Sequence, residues 1–385
     1  MFKRYIPPAD QPDPERQAKA RRYARTQRQL FFAEMALGGL YLAALLAASR
    51  YGLLHIVIPL PPPGATVALF VLILLGYTLL SAPLSLYSGF TLPRRYGLLT
   101  QGLGSWLRDA IKGMVITLLM GGIVVGIVYW MLQRFPSVWW LLSAGFVILL
   151  GVAMTNLTPI LLLPLFFKVE PLDRPELVER LTRLAERTGK RVKGVFTMNL
   201  SHKGTAANAA LMGLGNTRRI VLTDTLLDAY TPEEIEVILA HELAHHVHGD
   251  VAKALLTQAV TVLAGLYIAH LVLGWGASFF DYRELSQPAT LPLFGLVMGI
   301  MAVVMKTPVN ALSRHTEARA DAYALKLTNN PAAFITMMTK LANQNLAEER
   351  PAPWVEFFFY SHPPFYRRIA MARGHAAAHN QPQDV

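Results

Sequence analysis

No cysteine occurs in the 385 residues. Disulfide frameworks, thiolate nucleophiles and Cys-ligated metals are excluded, and the redox state of the compartment leaves no trace. Charge is scarce too. Only 16% of residues are charged against 53% hydrophobic, and the apolar ones gather in long runs. That distribution rules out an ordinary soluble domain and predicts a polytopic α-helical membrane protein. Acids are the scarcer sign, 25 against 36 Lys and Arg, for a net charge of +11. In a membrane protein such an excess reports topology and calls for no nucleic-acid partner. There is no internal repeat, no low-complexity tract and no lipidation motif at either end. Gly121, Gly122 and Gly126 predict close helix packing, not a nucleotide loop.

What is present begins with six apolar runs, near Leu30–Ser49, Ala65–Tyr87, Gly113–Gln133, Val138–Phe167, Leu255–Phe280 and Leu291–Ala311. The fourth is long and holds Asn156, Pro159 and Pro164, so it should tilt, kink or overrun the bilayer. Pro61-Pro62-Pro63-Gly64 predicts a stiff loop between the first two. The first 29 residues carry eight Lys and Arg against three acids, a signal-anchor start and not a cleaved peptide. Arg94, Arg95, Arg108 and Lys112 lie in the second loop on the same side. The positive-inside rule then sets both termini, Lys168–Ala254 and Asn310–Val385 in the cytoplasm. The chain divides into a basic segment 1–29, four spans over 30–167, a cytoplasmic α/β unit over 168–254, two spans over 255–311, and a cytoplasmic helical segment over 312–385.

Inside the α/β unit, Leu177–Thr188 reads as an amphipathic helix ended by Gly189. Gly194–Asn199, Ala207–Gly213 and Arg219–Thr223 read as short strands, with Gly215-Asn216 as turn chemistry. Thr231-Pro232-Glu233-Glu234 is a helix start, and Ile235, Ile238, Leu239 and Leu243 follow at helical spacing. That helix carries His241-Glu242-Leu243-Ala244-His245. Residues i and i+4 share a face, so both imidazoles reach one metal, and Glu242 stands where it can take a proton from metal-bound water. Glu317 and Asp321 form a second i,i+4 pair. A catalytic zinc takes three protein ligands and keeps one open position. Glu317 is the expected third ligand, and Asp321 the acceptor for the free ring N–H of a ligand histidine.

Other residues are given lesser roles. His246 points about 100° away from His245 and should not share the metal. His248 and Asp250 either end the helix or support the ligands. His202 reads as a surface residue, and Arg314 and Arg319 as structural partners of nearby acids. His270, within the fifth span, faces either a cavity or a neutral helix contact.

Taken together, these motifs resemble the type I CAAX prenyl protease family of integral-membrane zinc metalloproteases. The likeness runs from about Arg94 to Ala372. It rests on Arg108-Asp109-Ala110-Ile111-Lys112, Ser201 through Gly213 around Asn208-Ala209, and Ile220 through Leu227. Further matches are His241–His245, Ser313-Arg314 with Glu317 to Asp321, and Ser361-His362-Pro363-Pro364 with Arg368. The resemblance implies a gluzincin-like zinc unit with spans around an internal chamber. His241, His245 and Glu317 become the ligands of one zinc, and Glu242 the acid/base. Asn208 and Ala209 match an N-A edge-strand element that holds the substrate backbone. His362 and Arg368 match carboxyl-terminal residues facing the active site. Eukaryotic members have seven spans and some carry an acidic insertion before the metal helix. The six spans and compact loops here imply a prokaryotic homologue in the inner or plasma membrane, working as a monomer or in an assembly the sequence does not define.

The expected function is zinc-dependent hydrolysis of membrane-associated, hydrophobic or C-terminally prenylated peptides. A heat-shock-type membrane quality-control metalloprotease is a second reading, although those have fewer spans. An intramembrane-cleaving protease is disfavoured because Glu233, Glu234, Glu236 and Asp250 make the motif helix too polar for lipid. A transporter or scaffold with a structural metal is the non-enzyme reading; such a site is closed by four ligands and has no use for Glu242.

Overall fold

The computed structural model describes residues 13–50, 60–61, 63–213 and 218–379. Pro62 and the Gly215-Asn216 turn lie outside the described residues. The membrane part opens with α1 (Pro14–Arg50), α2 (Gly64–Leu86), a short α3 (Leu92–Arg95), α4 (Leu103–Arg134), α5 (Trp139–Leu157) and a short α6 (Leu163–Phe166). The α/β unit follows: β1 (Val169–Pro171), α7 (Pro175–Arg187), β2 (Val195–Met198), β3 (Ala209–Met212), β4 (Arg219–Thr223), α8 (Asp224–Ala229) and α9 (Pro232–Val247). Two long helices, α10 (Asp250–Phe279) and α11 (Leu291–Thr328), return through the membrane. The chain closes with α12 (Pro331–Gln344), α13 (Pro353–Phe359) and α14 (Phe365–His379). Among the described residues six helices are long and apolar enough to span, at the six expected places.

The kink expected of the fourth span is a π-helical turn over Thr158–Leu162, joining α5 to α6. Pro159 lacks the amide that an α-helical ladder needs, and the wider turn absorbs the gap. The expected division at residue 311 is crossed without a break by α11, which runs for 38 residues. At 1.5 Å per residue it is about 57 Å long, far more than the ~30 Å of hydrocarbon it has to cross. Apolar composition stops near residue 311, but helical hydrogen bonding does not depend on polarity. The first span likewise starts at Pro14, well before its apolar run.

The spans form a closed ring. Each packs mainly on two neighbours, in the order α1, α2, α4, α5, α10, α11 and back to α1. Small residues allow the closest approach: a Cβ at Gly121 would lie 2.5 Å from the Phe70 ring, and one at Gly126 3.2 Å from Val67. The ring is sealed at one end only. Leu69, Val128, Tyr129, Leu132, Trp139, Ala144, Leu266, Ala269, Leu273, Leu293 and Val297 form a buried cluster there. Tyr129 and Thr290 hydroxyls meet at 3.0 Å, and Ser49 bonds Tyr282 and the Ala289 carbonyl. Trp139 Nε1 donates to His270 Nδ1 at 3.2 Å, so His270 takes the neutral helix-contact role. Toward the α/β unit the helices part. α4 buries nothing between Leu103 and Gly121, and α10 nothing between Val251 and Ala264. The ring therefore encloses a hollow that widens toward the unit.

The sheet has strand order β1-β2-β4-β3. β2 runs parallel to β4, and β1 and β3 pair antiparallel on either side. The strand β1 was not anticipated; three residues beside the end of a span give too short a pattern to read. Leu181, Leu184, Ile220, Leu222, Leu226, Ile235, Leu239, Leu243, Phe334 and Met337 form one core across sheet, α7, α9 and α12. The start of α1 lies on the same side as this unit, since Arg28 pairs with Glu348 at 2.7 Å and Gln17 Nε2 donates to the Ala347 carbonyl.

Candidate metal centre and active site

The helix α9 is fixed at its start by a capping box. Thr231 Oγ1 accepts from the Glu234 amide, and Glu234 Oε2 accepts from the Thr231 amide at 2.8 Å. Its apolar stripe is sunk in the core, which holds the opposite edge of the helix in register with α11. Gly249, at φ 68°, turns the chain into α10 through a left-handed conformation that costs a side-chain-bearing residue far more.

This packing brings the two i,i+4 motifs together. His241 Nε2 lies 3.0 Å from Glu317 Oε2, and His245 Nε2 lies 3.5 Å from Glu317 Oε1. One ligand atom from each of the three lies within 4.8 Å of the others. The imidazoles stand edge to face with centroids 5.0 Å apart. His362, in the loop between α13 and α14, reaches the same carboxylate, Nε2 to Oε2 at 3.3 Å.

Each imidazole is backed by a carboxylate, and each carboxylate by an arginine. His241 Nδ1 is 2.9 Å from Asp321 Oδ1, close in distance but off the ring N–H axis, so the nitrogen has no well-aligned partner. Asp321 is fully buried and accepts both Arg368 Nε at 2.7 Å and Nη2 at 2.6 Å. Arg368 thus meets the site through Asp321. On the other side His245 Nδ1 meets Asp250 Oδ2 at 3.1 Å, and Asp250 is held by Arg319 and Lys253.

The donor set fits a zinc ion. Two imidazole nitrogens and one carboxylate are a catalytic set, with the outer ring nitrogens turned toward carboxylates. Glu317 Oε2 is buried without a well-aligned donor, as a lone pair meant for a cation would be. The electrostatics agree. Burial pulls His241 down, but Asp321 and Glu317 outweigh it and its pKa is pushed up to about 9. The site thus draws positive charge strongly. Glu242 is pushed up, first by burial. His362 is pushed down by crowding on its inner side, although its side chain is 55% exposed.

The edge strand lies alongside. Among the described residues β3 pairs only with β4, and no strand pairs with its other edge. The Thr223 amide donates to the Asn208 carbonyl. By antiparallel alternation the backbone groups of Ala209 and Leu211 then point to the free edge. His246 Nε2 lies 3.1 Å from the Leu211 carbonyl, tying that edge to the helix that carries His241 and His245. Asn208 Oδ1 accepts from the Ala209 amide at 2.9 Å, the local capping expected of an ordinary turn residue. Its amide nitrogen has no partner among the described residues.

Of the two roles expected for Asp250 it takes the supporting one, holding His245, and Arg319 pairs with it as the expected structural partner of a nearby acid. Other placements were not foreseen. His246 braces the edge strand. Arg314 pairs with no acid among the described residues. It donates to the carbonyls of Glu356 at 3.1 Å and Tyr360 at 2.6 Å, while Asn310 Nδ2 donates to Phe358 O at 2.9 Å. The last carbonyls of a short helix lack partners, and these side chains supply them. His202 is exposed, 3.1 Å from Asn199 Oδ1.

A family profile described as "Peptidase family M48" matches residues 171–376. The chain belongs to that family. A second profile, "CAAX prenyl protease N-terminal, five membrane helices", matches residues 3–168. Four span-length helices occur there among the described residues. The chain is 29% identical over 299 residues to the "Uncharacterized metalloprotease YhfN" of Bacillus subtilis (strain 168), covering 77% of this chain and 70% of that protein. It is 29% identical over 317 residues to CAAX prenyl protease 1 of Saccharomyces cerevisiae, covering 76% and 68%. The human CAAX prenyl protease 1 homolog is 25% identical over 77% of this chain and 72% of its own length. The fold matches the crystal structure of S. mikatae Ste24p with a TM-score of 0.83, at 23% identity over 96% of this chain and 92% of that one. This M48 protein is a multi-pass membrane metalloprotease of the CAAX prenyl protease type, acting on peptides or proteins.

Proposed function

We propose that the protein is a zinc endopeptidase that cleaves membrane-associated, hydrophobic or C-terminally prenylated peptides. The observation that carries this is the meeting of His241, His245 and Glu317 beside Glu242, at the mouth of a hollow between the spans. His241 Nε2, His245 Nε2 and a Glu317 oxygen would hold one ion. Zinc held there supplies Lewis-acid polarisation and brings the pKa of a water close to neutrality.

The remaining work belongs to side chains. Glu242 takes the proton from the attacking water and returns it to the leaving amine. Asp321 and Asp250 hold the two imidazoles in their tautomers, and Arg368 and Arg319 keep those carboxylates ionised and in place. His362 faces the site on its exposed side. Ser361 Oγ lies 2.9 Å from His362 Nδ1, and a hydroxyl donating there leaves Nε2 as the N–H that steadies the developing oxyanion. The outer edge of β3 offers the Ala209 carbonyl and the Leu211 amide to an extended peptide, and the Asn208 side-chain amide, without a partner among the described residues, sets its register.

By the positive-inside rule the α/β unit and both termini face the cytoplasm, in a prokaryotic inner or plasma membrane. Substrate choice is tested by mass spectrometry of products from a peptide library, with and without a farnesyl-cysteine near the carboxyl terminus. Products only from the farnesylated members establish the prenyl requirement. Cleavage of both sets alike removes it, and no cleavage of either refutes the peptidase assignment.

A further inference from the structure

The Arg108-Asp109-Ala110-Ile111-Lys112 motif takes no part in the metal centre. Ser105, Arg108, Asp109 and Lys112 share one face of α4, spaced by three or four residues. They line a cavity of about 260 Å³ together with Phe166, His202 and Lys203. Three parts of the fold meet in it: the start of α4, the end of α6, and the loop between β2 and β3.

The cavity is cationic. Asp109 is already engaged, accepting Lys203 Nζ at 2.7 Å and Gln101 Nε2 at 2.6 Å. Lys112 Nζ donates to the Leu165 carbonyl at 2.9 Å and stands 3.9 Å from the same carboxylate. Arg108 is exposed, and no carboxylate among the described residues pairs with it. One acid thus faces three cations. A surplus of that size beside low-dielectric walls attracts an anion, and a guanidinium with an ammonium one turn away suits phosphate oxygens.

Its depth says which anion. The apolar run of α4 begins at Gly113, just past Lys112, so the cavity lies at headgroup level. Phe166 ends its span, with Lys203 5.3 Å and Lys112 5.8 Å from its ring centre. Leu165 beside it, and Val115 and Leu119 on the same face of α4 one and two turns past Lys112, are exposed, an apolar lane leading into the bilayer. A soluble phosphate has no use for that lane; an acyl chain does.

We propose that this cavity binds the phosphodiester headgroup of an anionic membrane phospholipid, which fastens α4 and α6 to the α/β unit. The test uses the full-length protein in nanodiscs and native mass spectrometry of retained lipid. Phosphatidylglycerol in a phosphatidylcholine background should be retained in preference to phosphatidylcholine. The Arg108→Gln/Lys112→Gln variant should weaken that preference at least about tenfold. Arg134→Gln, at the opposite end of α4, should leave it intact. Arg108→Gln alone removes an exposed side chain that no carboxylate among the described residues pairs with, so it reports on the site even if the double variant folds poorly. Equal retention of the two lipids, or an unchanged preference in both variants, overturns the proposal. Displacement of the bound lipid by inorganic phosphate at equal concentration assigns the cavity to a soluble anion and overturns it as well.

Discussion

At the scale of single residues, the candidate metal centre is two parallel chains of contact, His241–Asp321–Arg368 and His245–Asp250–Arg319. Asp321→Asn or Asp250→Asn should each weaken zinc affinity by about 10–100-fold, measured by competition with a chelator, because outer partners set tautomer and basicity. Unchanged affinity in both would make these carboxylates mere packing. Arg368→Met should go further. It strands a fully buried carboxylate, and breaking a buried pair costs about 3–5 kcal/mol, visible as a lowered melting temperature. The candidate ligands were legible because H-E-x-x-H carries its own geometry. Asp250 was only half legible: its proximity to His245 depends on the left-handed turn at Gly249, which a helical periodicity cannot foresee. A distinct pH signature belongs to Asp224. Burial raises its pKa, but bonds from Ser201 Oγ and the amides of Leu200, Ser201 and Thr225 outweigh this and hold it below 3.8. A depressed pKa stabilises the fold above the unfolded value, and the contribution is lost as pH falls through the folded one. Asp224→Asn should therefore destabilise the protein at neutral pH in thermal melts. The gap to the parent protein should narrow as the pH drops below 3.8.

At the scale of elements, β3 and α9 matter most. β3 is the edge strand that the resemblance implied, and His246 fastens it to the helix of the candidate ligands. If the edge holds the peptide, Asn208→Ala should lower kcat/KM by about one to two orders of magnitude, since an unmet polar contact is worth roughly 1–3 kcal/mol. Zinc content and melting temperature should stay nearly constant. The opposite pattern, lower stability with intact kcat/KM, would leave Asn208 as a cap for Ala209 alone. Strands and helices of the unit were legible from apolar period and turn chemistry, which are local. Sheet order was not, because the parallel pairing of β2 with β4 joins segments more than 20 residues apart. Nor was the length of α11, whose polarity changes midway while its hydrogen bonds continue.

At the scale of the whole molecule, the six spans could be counted from hydropathy, but their ring could not. Which helix packs on which depends on side-chain volumes at both faces, as where Gly121 admits Phe70. The ring is sealed at one end by the Trp139 and Tyr129 cluster and parts toward the metal centre. On the proposed function, that shape would confine a substrate to one mouth. Reporter fusions at the two termini should both read cytoplasmic; opposite sides would refute the topology. The central claim, however, is that one zinc ion and Glu242 together make this hollow a peptidase. It is tested most directly by measuring zinc content and peptide turnover on the same preparation of Glu242→Gln. The amide is nearly isosteric and cannot accept the proton, so the variant should keep one zinc per chain and lose turnover by at least about 100-fold. Turnover near that of the parent protein, or loss of the zinc along with the activity, would contradict it.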